Sequence, residues 1–171
     1  MGKRESFYFR RMKLHLVRHG KAEKFSNSGK DFDRDLAQKG IKQSQMLGKH
    51  LQEKGLAEDI AILCSSANRT VQTLESIRKH INFKNINYQN DLYLCGKDDL
   101  LNLLWGLNNN QDLLIIGHNF GISDFGQYFI DDFLELRTGE YICIEFDASN
   151  WKETSQGMGV IADLYRASVD L

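Results

Sequence analysis

The sequence predicts an α/β fold of three layers, with a mainly parallel central sheet between two layers of helices. Apolar strand-like runs alternate with segments of helical periodicity for most of the 171 residues. Two of those runs, 60–64 and 113–116, are apolar almost throughout, as strands covered on both faces are. The last two strand-like runs, 141–146 and 160–165, have no helix between them and suit an antiparallel edge.

The elements follow in order. Residues 13–18 form the first strand. Residues 20–35 are rich in Ser, Asn, Asp and Gly and form a loop long enough to suggest function. Leu36, Ile41, Leu47 and Leu51 recur at helical spacing, with Gly55 as the C-terminal cap. The second strand is 60–64, and Val71, Leu74, Ile77 and Ile81 mark the second helix. A short strand is expected within 86–93. Asp98 or Asp99 caps a helix carrying Leu100, Leu103, Leu104 and Leu107, which Asn108 to Asn110 break. Strand 113–116 leads into a helix marked by Ile122, Phe125 and Phe129.

Bulk properties narrow the function. Apolar residues make up 42% of the chain, which excludes a disordered protein. Net charge is −1, from 22 basic and 23 acidic residues, so no overall field favours nucleic acid or a membrane surface. No apolar stretch approaches the roughly 20 residues of a membrane span. Residues 1–11 are basic, lack an apolar h-region, and read as an extension rather than a signal peptide. Residues 12–171 read as one domain. Cys64, Cys95 and Cys143 form no Cys-x-x-Cys pair and no metal-ligand spacing. They read as reduced thiols, and the protein as cytoplasmic.

The chemistry lies at strand ends. Arg18-His19-Gly20 follows the first strand. Arg69 follows the second, near a helix N-terminus where backbone N–H groups favour an anion. Gly117-His118-Asn119 runs from a strand into a helix. In a parallel sheet such ends share one edge. Two arginines and two histidines meeting there would cage a doubly charged phosphoryl group. His15 reads as packed within its strand, and His50 and His80 as solvated.

These segments, in this order, resemble the histidine phosphatase superfamily, whose fold is phosphoglycerate-mutase-like, and most of all its compact SixA-like phosphohistidine phosphatase branch. The run 33–40 is similar to that branch's Asp-x-Arg-Pro-Leu-Thr-x-x-Gly region, and Arg69 with Gln72-Thr73 to its second arginine segment. Thr138-Gly139 resembles the turn before its next strand. Asp35 and Ser66 stand where the family usually has proline. Neither replaces a phosphate ligand, so both bear on loop stiffness.

The resemblance implies a metal-independent phosphatase without cofactor. His19 would be the nucleophile. Arg18, Arg69 and a protonated His118 would hold the phosphoryl oxygens, with Gly20 and Asn119 lining the substrate site. The expected substrate is phosphohistidine in a protein partner. The alternatives are a small phosphorylated molecule, hydrolysed as a phosphomonoester, and a phospho-ligand-binding module without turnover. The proton donor is not evident: Asp91, Glu23 and Asp33 are candidates, with Asp31 and Asp35 on the same loop. Only 49 positions separate Arg69 from His118, too few for a large lid, so the site should be shallow and open. The oligomeric state is left open.

Overall fold

The computed structural model describes residues 11–168. Its elements are β1 (Met12–Arg18), α1 (Gln38–Glu53), β2 (Ala61–Ser65), α2 (Asn68–Ile77), β3 (Asn85–Gln89), α3 (Lys97–Gly106), β4 (Leu113–Gly117), α4 (Gly121–Ile130), β5 (Tyr141–Phe146) and β6 (Val160–Tyr165). Single 3-10 turns lie at Asp31–Asp33, Asn90–Leu92 and Trp151–Glu153. The expected N-terminal extension falls on residues outside those described, apart from Arg11, which pairs with Glu145 at 2.9 Å.

The six strands form one sheet in the order β3-β2-β4-β1-β5-β6. The first four are mutually parallel, while β5 runs antiparallel to both β1 and β6. The predicted architecture therefore holds, and the antiparallel part takes in the β1–β5 pairing as well as β5–β6.

Alternation along the strands makes the three layers. Leu14 and Leu16 of β1 join Leu113 and Ile115 of β4 on one face, beneath Leu104, Phe125 and Phe129 of α3 and α4. Val17, Ile62, Cys64, Leu114 and Ile116 face the other way, beneath Leu47, Leu51, Leu74 and Ile77 of α1 and α2. Burying each such side chain stabilises the fold by about 1.5–3 kcal/mol. Both faces of β4 are filled, which explains its unbroken apolar run.

Some local expectations are corrected. α2 ends at Ile77, and Ile81 is buried beyond it after a turn. α3 is capped at Gly96, whose amide donates to Asp99 Oδ2 at 2.9 Å, so Asp99 serves from inside the first turn. His50 is not solvated: its Nε2 lies 2.7 Å from Asp163 Oδ2, and its ring stacks on Tyr165. No helix among the described residues is long and apolar enough to cross a membrane.

Candidate active site

β1, β2 and β4 lie side by side and point the same way, so their carboxyl ends form one shelf. Arg18 ends β1, and the His19 amide donates to Gly117 O of β4 at 3.2 Å. Arg69 occupies the first turn of α2, and His118 directly follows β4. The shelf brings the four predicted residues together. Arg69 Nε donates to His19 Nε2 at 3.3 Å, and the two histidine rings lie 5.2 Å apart.

His19 has a defined tautomer. Its Nδ1 is 2.7 Å from Gly20 O, and a carbonyl only accepts, so Nδ1 carries the hydrogen. Nε2 is left with its lone pair. Burial above all, with the charges of Arg69 and Arg18, pulls the His19 pKa down to about 4, so the ring is neutral at pH 7. Gly20 is required here for space: a Cβ would sit 2.6 Å from Gly40 O. Its amide is committed to Thr73 Oγ1 at 3.0 Å, so only its carbonyl serves the site, through His19.

The arginines are positioned from below and beside. Arg18 Nη1 donates to Leu136 O at 2.9 Å, and its Nε is buried with no hydrogen-bond partner among the described residues. Arg69 is more tightly held: Nη1 donates to Asp31 O at 2.8 Å, and Nη2 to Asp31 Oδ2 at 2.9 Å. Tyr93 also donates to Asp31 Oδ2, at 2.5 Å, and Arg34 to its Oδ1 at 2.7 Å. The Tyr93 hydrogen bond, followed by Arg69, brings the Asp31 carboxyl down to about 2. The Tyr93 ring meets His118 edge-on at 5.5 Å and lies 5.8 Å from the Arg69 guanidinium. The Asp31–Tyr93 hydrogen bond runs along one side of this cluster. His19, Arg69 and His118 are only 8%, 3% and 4% exposed.

His118 differs from expectation as well. Burial, with His19 and Arg69, lowers its pKa to about 3, so in the free protein it is uncharged. Its Nε2 is 2.8 Å from Ser65 Oγ, and its Nδ1 is buried without a partner.

The remaining predicted residues lie further out. Asn119 spends its amide on protein, donating to Leu136 O at 2.9 Å and accepting from Ser123 Oγ at 2.6 Å. It therefore braces the β4–α4 turn. Asp33 accepts from Ser28 Oγ at 2.6 Å, on the outer side of its loop. Glu23 has its amide on Asp35 O, and both Glu23 and Asp91 are exposed. None of the three shows a contact with His19. Asp35, in a family proline position, accepts from Asn68 and Gln72 of α2 and ties the loop down by hydrogen bonds instead. Among the described residues, no group of three or more His, Cys, Asp or Glu could hold a metal ion. Ser65 and Tyr93 were not singled out from sequence. Their only signal was position, at the end of a strand and beside the third loop on this shelf.

Residues 14–93 match the family model of the histidine phosphatase superfamily (branch 1). The matched stretch carries Arg18, His19 and Arg69, and over it the chain resembles this superfamily. Solved structures agree in fold. The protein assigned as phosphohistidine phosphatase SixA of Nakamurella multipartitia superposes with a TM-score of 0.80 at 20% identity, covering 94% of this chain and 98% of that one. The corresponding protein of Agrobacterium tumefaciens gives 0.77 at 19% identity, covering 91% and 98%. The protein histidine phosphatase SixA solved with tungstate gives 0.75 at 19%, covering 90% and 96%. No curated protein matches the sequence. The family-model match and this fold together support a phosphatase.

Proposed function

We propose that this histidine phosphatase hydrolyses phosphohistidine on a protein partner, through a covalent phospho-His19 intermediate and without a metal. The observation that carries the reading is the His19 hydrogen bond to Gly20 O. It presents a neutral Nε2 lone pair beside the Arg69 fork.

Nε2 attacks phosphorus in line as the bond from phosphorus to the leaving nitrogen breaks. That nitrogen takes a proton from solvent water and departs as neutral imidazole, a good leaving group that needs little help from an internal acid. The phosphorylated His19 ring keeps its Nδ1 hydrogen on Gly20 O, which stabilises the positive charge the ring acquires. Water then attacks the same phosphorus, the N–P bond breaks, and phosphate leaves. Arg18, Arg69 and His118 hold the three equatorial oxygens throughout. The SixA-like fold of the neighbours supports this substrate class. The free thiols Cys64, Cys95 and Cys143 accord with a cytoplasmic setting.

The recessed His19 favours one second reading, a small phosphomonoester that enters the site whole. Brief exposure to radiolabelled phosphohistidine peptide tests the first: acid-labile label should appear on the wild type and be absent from His19→Ala. Hydrolysis of p-nitrophenyl phosphate alone would favour the second reading. Turnover of neither would leave a binding module.

A further inference from the structure

His118 ends in two nitrogens with very different surroundings, and a single buried hydroxyl decides between them. Ser65 closes β2 and is fully buried, so its hydroxyl hydrogen has no water to reach. A buried donor left without an acceptor is costly. Two atoms lie within bonding range of Ser65 Oγ. One is the Ala67 amide at 3.4 Å, which only donates. The other is His118 Nε2 at 2.8 Å. The hydroxyl hydrogen therefore goes to Nε2, and Nε2 carries none of its own.

Neutral imidazole has one ring hydrogen, which must then be on Nδ1. Among the described residues Nδ1 has no acceptor, and neither has Arg18 Nε. These two donors belong to one cluster with His19 and Arg69, where an incoming phosphoryl group brings acceptor oxygens. Among the described residues, the opposite tautomer would strand the serine hydrogen and turn a lone pair toward that anion. A cationic His118 would strand it too, since both ring nitrogens would then donate.

We infer that Ser65 is a positioning residue, whose hydroxyl holds uncharged His118 in its Nδ1–H form so that it binds a phosphoryl oxygen without first taking up a proton. The groups facing His118 are consistent with this. His19 and Arg18 approach from the end of β1 and Arg69 from α2, and burial, followed by these neighbours, disfavours a positive charge on His118. Asp31 opposes them from the 20–37 loop, with its carboxylate already shared by Arg69, Arg34 and Tyr93. Tyr93 offers His118 only its ring. The inference rests on the phosphatase reading for its consequence, while the tautomer itself does not.

The first measurement is therefore made on the free wild-type protein. Nitrogen–proton correlation spectra of 15N-histidine-labelled protein at pH 7, assigned with His118→Asn, report which ring nitrogen bears hydrogen. The expected result is Nδ1–H. An Nε2–H or doubly protonated His118 would overturn the inference. The second measurement is hydrolysis of p-nitrophenyl phosphate between pH 5.5 and 8. Ser65→Ala should lower kcat by about tenfold and make the remaining rate fall as pH rises relative to wild type, because the neutral ring is no longer held with its hydrogen on Nδ1 and the imidazolium, which always carries it, contributes more of the donation. Ser65→Thr, which keeps the hydroxyl, should restore both the rate and the wild-type profile. A folded Ser65→Ala protein with the wild-type tautomer and profile would also refute it. A wild type with Nδ1–H on His118 but no phosphatase activity would sink the phosphatase reading and leave the Ser65 bond intact.

Discussion

His15 and His19 stand four residues apart on the same stretch of chain. They are almost equally buried, and burial holds both near a pKa of 4. Their surroundings differ. His15 sits inside the sheet, paired with Leu114 of β4 and Cys143 of β5, with Nδ1 2.7 Å from the Tyr141 hydroxyl. His19 lies one residue past the end of β1, with Arg69 on its free nitrogen and Arg18 alongside. The lowered pKa is therefore no mark of catalysis on its own. What separates the two is the converging cations and the donors left without a protein acceptor.

The largest effect should come from His19, the proposed nucleophile. His19→Ala should reduce phosphohistidine turnover by about a thousandfold or more, roughly 4 kcal/mol of barrier. Phosphate should still bind, because the arginines remain. His15→Asn should lower the melting temperature and leave turnover per folded molecule within about threefold, since it removes one buried hydrogen bond of about 1 kcal/mol. Equal losses in the two variants would erase the distinction drawn here.

Acid should then expose what the two histidines share. Unfolded imidazoles titrate near 6.5. Folded His15 and His19 are pulled down to about 4, and His118 to about 3. Between those limits the unfolded chain binds protons that the native one refuses. The stability these groups contribute is whole above about pH 6.5 and is lost as pH falls toward 4. Thermal melts from pH 7.5 to 4.5 should show a steady decline, made shallower in His15→Asn. A flat profile would mean that the three rings are not buried as described.

Arg69→Ala is expected to cost at least tenfold in kcat/KM, about 1.4 kcal/mol. An unchanged rate would place Arg69 outside the reaction. Asp31→Asn should act more gently, raising KM about threefold as Arg69 loses a charged partner. Because the Asp31 carboxyl is held down to about 2, that change should be constant across pH 5 to 8. A pH-dependent effect would give Asp31 a protonated role instead.

Legibility from sequence followed the same divide. Arg18, His19, Arg69 and His118 were readable because each sits within one or two residues of a strand end or helix start, and parallel strands bring such ends together. The place of β4 inside the sheet was readable from its apolar run. The Asp31–Tyr93 bridge was not, because it joins residues 62 positions apart through the path of an irregular loop. Neither was the Ser65–His118 bond, which depends on β2 lying beside β4. His50 was misread for a related reason: its partner Asp163 arrives from β6, the last strand of the chain.

The smallest expected effect concerns the proton donor, where sequence offered too many carboxylates and the structure brings none of the three candidates to His19. Glu23 and Asp91 are exposed, and Asp33 is bonded to Ser28. Asp31 reaches the site but is held as a carboxylate, with no proton to give. A leaving imidazole protonates readily, whereas the alkoxide of an alkyl phosphate needs an acid as its bond breaks. Glu23→Gln, Asp33→Asn and Asp91→Asn should therefore each leave phosphohistidine hydrolysis within about twofold, while alkyl phosphates remain poor substrates for every variant and for the wild type. If one of the three depressed phosphohistidine turnover tenfold, that carboxyl would have to reach the leaving group in the bound state, and loop 20–37 or the turn before Tyr93 would have to move to bring it there.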